Sequence, residues 1–266
     1  MVISSCLKVR ALDSNMISTE DTFEIEVIKV GEAEVPAPEV YWMKGWGKWE
    51  KLHFHMVLAH NSRENFLINT GMPLDLSRRN KGTLAFAGKR ALFKPYDSIQ
   101  LLEKHGFSPS GIRNVSMTPI QDYTCGRLDE FTNAQIFINK KGWMEDIQEP
   151  VDSEIKDQNL YMPERIRKFL DSSGKSHISF FEATDSSILI PGITAIPVGC
   201  HHRSSTAFAI NTKNGVHVFT DAIFKYRNLE TGTPIGIAED IHECLEAYRL
   251  LPQLGKVMPA YDPELR

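Results

Sequence analysis

Cysteine is scarce in this 266-residue chain. Cys6, Cys125, Cys200 and Cys244 lie far apart, and no two stand in a C-x-x-C spacing. That excludes a zinc ribbon or a disulfide framework as the organising device and reads as reduced thiols in a cytoplasmic protein. No run approaches the roughly 20 apolar residues that a membrane-spanning helix needs. The N-terminal MVISSCLKVRALDSN has no apolar h-region and no cleavage pattern, so no signal peptide is expected. A basic excess is missing too: 30 Lys and Arg stand against 34 Asp and Glu, a net charge of −4. Neither nucleic acid nor an anionic membrane surface is expected as a partner. What remains, 42% hydrophobic and 24% charged residues, is ordinary globular composition. The length suits one domain over 1–266 with a large core.

The pattern along the chain is strand-rich. TFEIEVIKV (Thr22–Val30) alternates like a half-buried strand. EVPAPEVYWMKGWGKWEKL, broken by Pro and Gly, reads as an aromatic surface loop whose Trp42, Trp46 and Trp49 are placed to line a ligand pocket. LHFHMVLAH, NSREN and FLINTGM predict a strand, a turn and a strand. DSIQLLEKHGF predicts a helix capped by Asp97 or Ser98, with Ile99, Leu101 and Leu102 inward and Gly106 at its end. IRNVSMT and AQIFINK predict strands, and MPERIRKFLDSSGK an amphipathic helix. NKKGWMEDIQEPVDSEIKDQN reads as a solvated loop. SSILIPGITAIPVG supplies two strands, and TAFAINTKNGVHVFTDAIF a hairpin turning at KNG. IAEDIHECLEAYRLL predicts a helix with Ile241, Cys244, Leu245 and Tyr248 on one stripe, and GKVMPAYD a last strand. The element order predicts an α/β (α+β) chain: two mixed sheets packed face to face with helices on both outer faces.

Four segments in order carry a resemblance. FLINTGMP resembles the strand ending Leu-Ile-Asp-Thr-Gly of the metallo-β-lactamase superfamily. NVSMTPIQDYTCGRLDEFTNAQIFI resembles its Thr-His-x-His-x-Asp-His turn and the strand after it. IPVGCHHRSSTAFAINTKNGVHVFTDA resembles its Pro-Gly-His and Gly-Asp-Ala segments, and VMPAYDPEL its terminal Pro-Gly-His-Asp-Pro. The likeness runs from about Val27 onward and is nearest to the N-acyl homoserine lactonase branch. It implies the four-layer αββα sandwich and a hydrolase of lactones or esters. In that family two metal ions and a bridging hydroxide do the chemistry.

Carried over by position, the family's ligand pattern mostly changes. Its turn histidines fall on Pro119, Gln121 and Thr124, and its turn aspartate on Tyr123. Its strand-end aspartate falls on Asn69, and its final histidine on Tyr261. Only His201 and the bridging Asp221 retain their types. One imidazole and one carboxylate do not hold two divalent ions. No family-type dinuclear centre and no cofactor are therefore expected, a single weakly held divalent ion on His201 and Asp221 being the variant. Three readings stay open. In the first, His201, Asp221, Tyr123, Gln121, Asp122 and Tyr261 perform acid–base chemistry on a small carbonyl compound, with Thr124, His202, Asn69 and Trp46 binding it. In the second, the chain is a non-catalytic ligand- or partner-binding protein on the same fold. In the third, His53, His55 and His60 form a shifted metal site. His201 and His202 would face opposite ways if extended, which argues against joint ligation. Cys125 and Cys200 flank the site as minor candidates for a nucleophile.

Overall fold

The computed structural model describes residues 21–148, 158–172, 177–182 and 185–266. Its first seven strands are β1 (Glu24–Pro36), β2 (Trp49–His60), β3 (Asn65–Ile68), β4 (Lys94–Pro95), β5 (Asn114–Ser116), β6 (Gln135–Asn139) and β7 (Ile178–Phe181). They form one sheet in the order β4-β1-β2-β3-β5-β6-β7, antiparallel from β4 to β3 and parallel from β3 to β7. The second sheet holds β8 (Ser187–Ile190), β9 (Ile193–Pro197), β10 (Thr206–Thr212), β11 (Gly215–Thr220) and β12 (Lys256–Pro259), in the order β12-β11-β10-β9-β8. Only β11 and β12 run parallel there.

Burial explains which segments became central strands. From Phe54 to Ala59 every residue of β2 is buried, and so is every residue of β9. A strand covered on both faces loses the polar alternation of an edge strand. Between the sheets, Phe66 on β3 meets Phe208 on β10 with ring centroids 6.2 Å apart. The helix Ser98–Lys104 packs against β1, outside the first sheet. Asp97 caps it, accepting from the Ile99 and Gln100 amides. The helix Ile241–Leu254 packs on β11 and β12, outside the second sheet, and is capped by Asp240. The expected two mixed sheets with flanking helices are present.

Several local expectations change. On Ile241–Leu254 the buried residues are Cys244, Ala247 and Leu251, whereas Leu245 is 48% exposed. The inward stripe is thus rotated from the one that the apolar letters suggest. The aromatic loop is partly regular: β1 runs on to Pro36, the short helix Ala37–Val40 follows, and β2 begins at Trp49. The charged stretch begins as buried structure. Gly142 packs so close to Ser204 that an added Cβ would lie 2.2 Å from that side chain, and Asp146 accepts from the Ser204 amide. Its residues 149–157 fall outside the described part. The helix Ser77–Ala87 has no counterpart in the sequence reading, because none of its residues is buried and no apolar period marks it. Among the described residues, no helix is long and apolar enough to cross a membrane.

Candidate functional site

The C-terminal ends of β3, β5, β9, β11 and β12 meet along one edge of the sandwich. There Asp221, just beyond β11, is fully buried. A buried carboxylate needs donors, and it has three. Thr118 Oγ1 lies 2.5 Å from Oδ1; Ser205 Oγ and His201 Nδ1 lie 2.6 and 3.1 Å from Oδ2. With a carboxylate facing Nδ1, the His201 proton sits on that nitrogen, and the Nε2 lone pair is left for the cavity that the ring lines.

The turn after β5 is held from several sides. Asn69, at φ 66°, donates from its amide to the His55 carbonyl and accepts from the Thr118 amide, tying the end of β3 to the turn. Ser204 Oγ accepts from the Ile120 amide. Thr124 Oγ1 accepts from the Gln121 amide and lies 2.5 Å from the Pro119 carbonyl. Asp122 takes both Nε (2.6 Å) and Nη2 (2.5 Å) of Arg79, whose Nη2 also donates to Gln121 Oε1 at 3.1 Å. The same guanidinium lies 5.0 Å from the Tyr123 ring and 5.1 Å from Phe93. Arg79 stands on the helix Ser77–Ala87, so that exposed helix is anchored by charge rather than by apolar burial.

The two histidines do not part. The chain turns at Cys200 (φ 72°) instead of running extended, and the His201 and His202 rings lie 4.2 Å apart. His202 Nδ1 is 3.2 Å from Glu239, and its Nε2 is 3.4 Å from the Gln121 amide nitrogen. Burial, and then neighbouring His201, push its pKa down to about 4. Tyr123 and Tyr261 meet edge to face at 6.2 Å, and Tyr261 lies 6.3 Å from the His201 ring. Burial first, then the partner phenol and Asp221, raise the Tyr261 pKa well above its usual value. Its hydroxyl is buried, with the Tyr123 phenol as its hydrogen-bonding neighbour. Burial likewise raises the Cys125 and Cys200 thiols, which therefore stay protonated and are poor nucleophiles.

These groups border a cavity of about 460 Å³. Its floor is Gln121, Tyr123, His201, His202 and Tyr261; its walls include Leu52, Phe54, Phe93 and Phe224. Phe86, 77% exposed, and Ile237, 44% exposed, stand at its mouth. Of the residues expected at the site, Asp221 stands behind His201, while Asp122, Thr124 and Asn69 brace the turn from outside the lining. Trp46 is 70% exposed, and neither it, Trp42 nor Trp49 lines the cavity. The loop before them contributes Glu39 instead, a lining residue that sequence reasoning missed along with Arg79. His53, His55 and His60 do not gather: His55 bonds the Ala260 carbonyl, His53 faces Glu32, and His60 packs on Phe107 beside Glu26.

No protein-family model and no curated protein sequence matches this chain. Solved structures do. One is an N-acyl homoserine lactone hydrolase with its product N-hexanoyl-L-homoserine at the catalytic metal centre: TM-score 0.73, 18% identity, 91% of this chain and 95% of that one covered. Another is AidC, a dizinc quorum-quenching lactonase, with TM-score 0.64, 15% identity and 91% of each chain covered. A third is a probable metal-dependent hydrolase from Staphylococcus aureus, with TM-score 0.70, 16% identity, 90% of this chain and 89% of that one covered.

These neighbours correct the expectation of no cofactor, since the first two carry a metal centre and the frame is one on which metal is held. The side chains at the strand ends of this chain do not fit a two-metal centre. Pro119 offers no donor atom, both Asp221 oxygens already accept hydrogen bonds, and Gln121 is engaged by Arg79 and His202. Among the described residues, no group of three or more His, Cys, Asp or Glu is arranged to hold a metal ion. In strand order and layering, the chain has the metallo-β-lactamase fold of these lactonases and metal-dependent hydrolases.

Proposed function

We propose that the protein hydrolyses a small ester or lactone, with His201 as the general base at the cavity floor. One observation carries this reading: Asp221 holds Nδ1 of a histidine whose ring lines a cavity of substrate size. His201 Nε2 would take a proton from water as the water oxygen bonds to the carbonyl carbon. The carbonyl π pair moves onto oxygen, where the Tyr261 hydroxyl, kept protonated by burial, can donate to it. Collapse of the tetrahedral intermediate breaks the carbon–oxygen bond to the leaving group. The departing alkoxide takes the proton from His201, which returns to its starting state.

Asp221 fixes the ring and steadies the imidazolium that forms. Arg79 and Asp122 hold the Gln121–Tyr123 turn in place. The apolar walls exclude water from the rest of the substrate. A panel of aryl esters and unsubstituted lactones, followed by product formation, tests this. Turnover that disappears in Asp221→Asn supports it; turnover unchanged in that variant contradicts it.

A second reading, ligand binding without chemistry, draws on a specific feature. Asp221, Gln121 and Asp122 have their hydrogen bonds satisfied inside the protein, as in a site that needs only shape and a few contacts. It predicts thermal stabilisation by compounds from the same panel with no product formed.

A further inference from the structure

The cavity contains one acidic side chain that the hydrolytic reading does not use. Glu39 lies on the short helix Ala37–Val40, and its backbone carbonyl accepts from the Gly236 and Ile237 amides at 2.9 and 3.2 Å. That pairing fixes the residue on the cavity wall. It requires Gly236, where an added Cβ would lie 1.6 Å from the Pro38 carbonyl oxygen. Glu39 lines the cavity, and among the described residues its carboxyl has no hydrogen-bond or ion-pair partner. A partly buried carboxylate without a partner is unfavourable, so something is expected to complete it.

Among the described residues that line the cavity, the guanidinium or ammonium group is that of Arg79, and it is committed to Asp122. On the strands beside the helix, Glu34 pairs with Arg90, Glu32 with Lys29 and Lys51 (and His53 faces it), and Glu50 with Lys225. On the neighbouring loop, Glu239 is taken by His202 and Arg203. The other titratable groups of the lining are Tyr123, Tyr161, Tyr261, His201 and His202. None of these groups contributes to the Glu39 pKa, which burial alone raises to about 7. Asp221, behind the floor, is likewise balanced only by neutral donors and His201. Among the described residues, the cavity therefore carries acidic groups at two points and no uncommitted cation in its lining.

We infer that Glu39 is a recognition site for a cationic nitrogen, so that the ligand of this cavity bears a protonated amine as well as the group that reaches His201. This deepens the hydrolase reading and rests on it for the ligand's second end, but Glu39 can be tested without turnover. An ammonium in the cavity stabilises the carboxylate form, and its affinity rises as pH rises through the titration of Glu39.

The test is calorimetric titration of the purified protein with benzylamine and, as neutral isostere, benzyl alcohol. At about pH 8, benzylamine is expected to bind about tenfold more tightly than the alcohol. That preference should shrink about fivefold at about pH 5.5, where Glu39 holds its proton while the amine remains charged. In Glu39→Gln the preference should vanish at both pH values. Equal affinity for amine and alcohol at the higher pH overturns the inference, as does undetectable amine binding or a preference that survives in Glu39→Gln. The pH comparison on the wild-type protein decides the matter even if the variant does not fold. No readout involves turnover, so failure here leaves the hydrolase reading to its own test.

Discussion

The floor and the wall of the cavity are built on different terms. On the floor, polar groups are tied to one another: Asp221 to Thr118, Ser205 and His201, and Gln121 to Arg79 and His202. The wall is mostly apolar. The helix Ser77–Ala87 buries none of its residues and is tied to the floor through Arg79, while Glu39 has no partner among the described residues. Under the proposed function, chemistry belongs to the floor and selection of the ligand to the wall. Changes at the floor should therefore appear in kcat, and changes at the wall in KM or in binding.

The sharpest way to break this division is Asp221→Asn. The shape is nearly kept, but the anion that orients His201 is lost, and ester turnover should fall about a hundredfold to ten-thousandfold in kcat. A fall in KM alone would contradict it. Tyr261→Phe should lower kcat about tenfold to a hundredfold with KM little changed. Because that buried hydroxyl has only the Tyr123 phenol beside it among the described residues, the melting temperature should change little. A clear drop in melting temperature would mean that the phenol has a further structural partner.

Arg79→Ala tests the wall. It leaves Asp122 without its guanidinium and releases the helix, so KM should rise about tenfold and stability fall by about 2 kcal/mol, read by urea titration. The smallest effect is expected at Glu39. Its folded-state pKa lies above the ordinary 4.5, at about 7. The folded protein thus favours the protonated form, and this contribution is full below about pH 4.5 and lost as pH rises through about 7. Glu39→Gln removes the loss. Without ligand it should be more stable than wild type at about pH 8 by on the order of 1 kcal/mol, discounted for partial exposure, and equal to it at about pH 4.

What the sequence disclosed divides along the same line. The placement of the floor residues was legible through the resemblance of four segments to the family's motifs, which put His201 and Asp221 at strand ends. The turn with Gln121 and Tyr123 was legible for the same reason. The wall was not. SRRNKGTLAFA gives no apolar period, because an exposed helix held by Arg79 and by the hydrogen bonds of Asn80 to the Phe93 backbone needs none. Arg79 could have been suspected only from paired arginines that precede no apolar face. Glu39 stood inside P-A-P-E-V, where the tryptophans nearby drew attention to the wrong part of the loop. The adjacency of His201 and His202 was hidden by the assumption of extended backbone, which the φ of 72° at Cys200 overturns. The frame's association with metal was implied by the resemblance of four segments, and solved neighbours such as AidC, at 15% identity, carry it; the residues of this chain pointed away from a cofactor.

The most direct measurement of the central claim is kcat/KM for the best ester or lactone of the panel, wild type against His201→Gln, with folding of both checked by thermal melting. General-base catalysis at the floor predicts a loss of about a hundredfold to ten-thousandfold at unchanged melting behaviour. A folded His201→Gln protein that turns the substrate over as fast as wild type would contradict it.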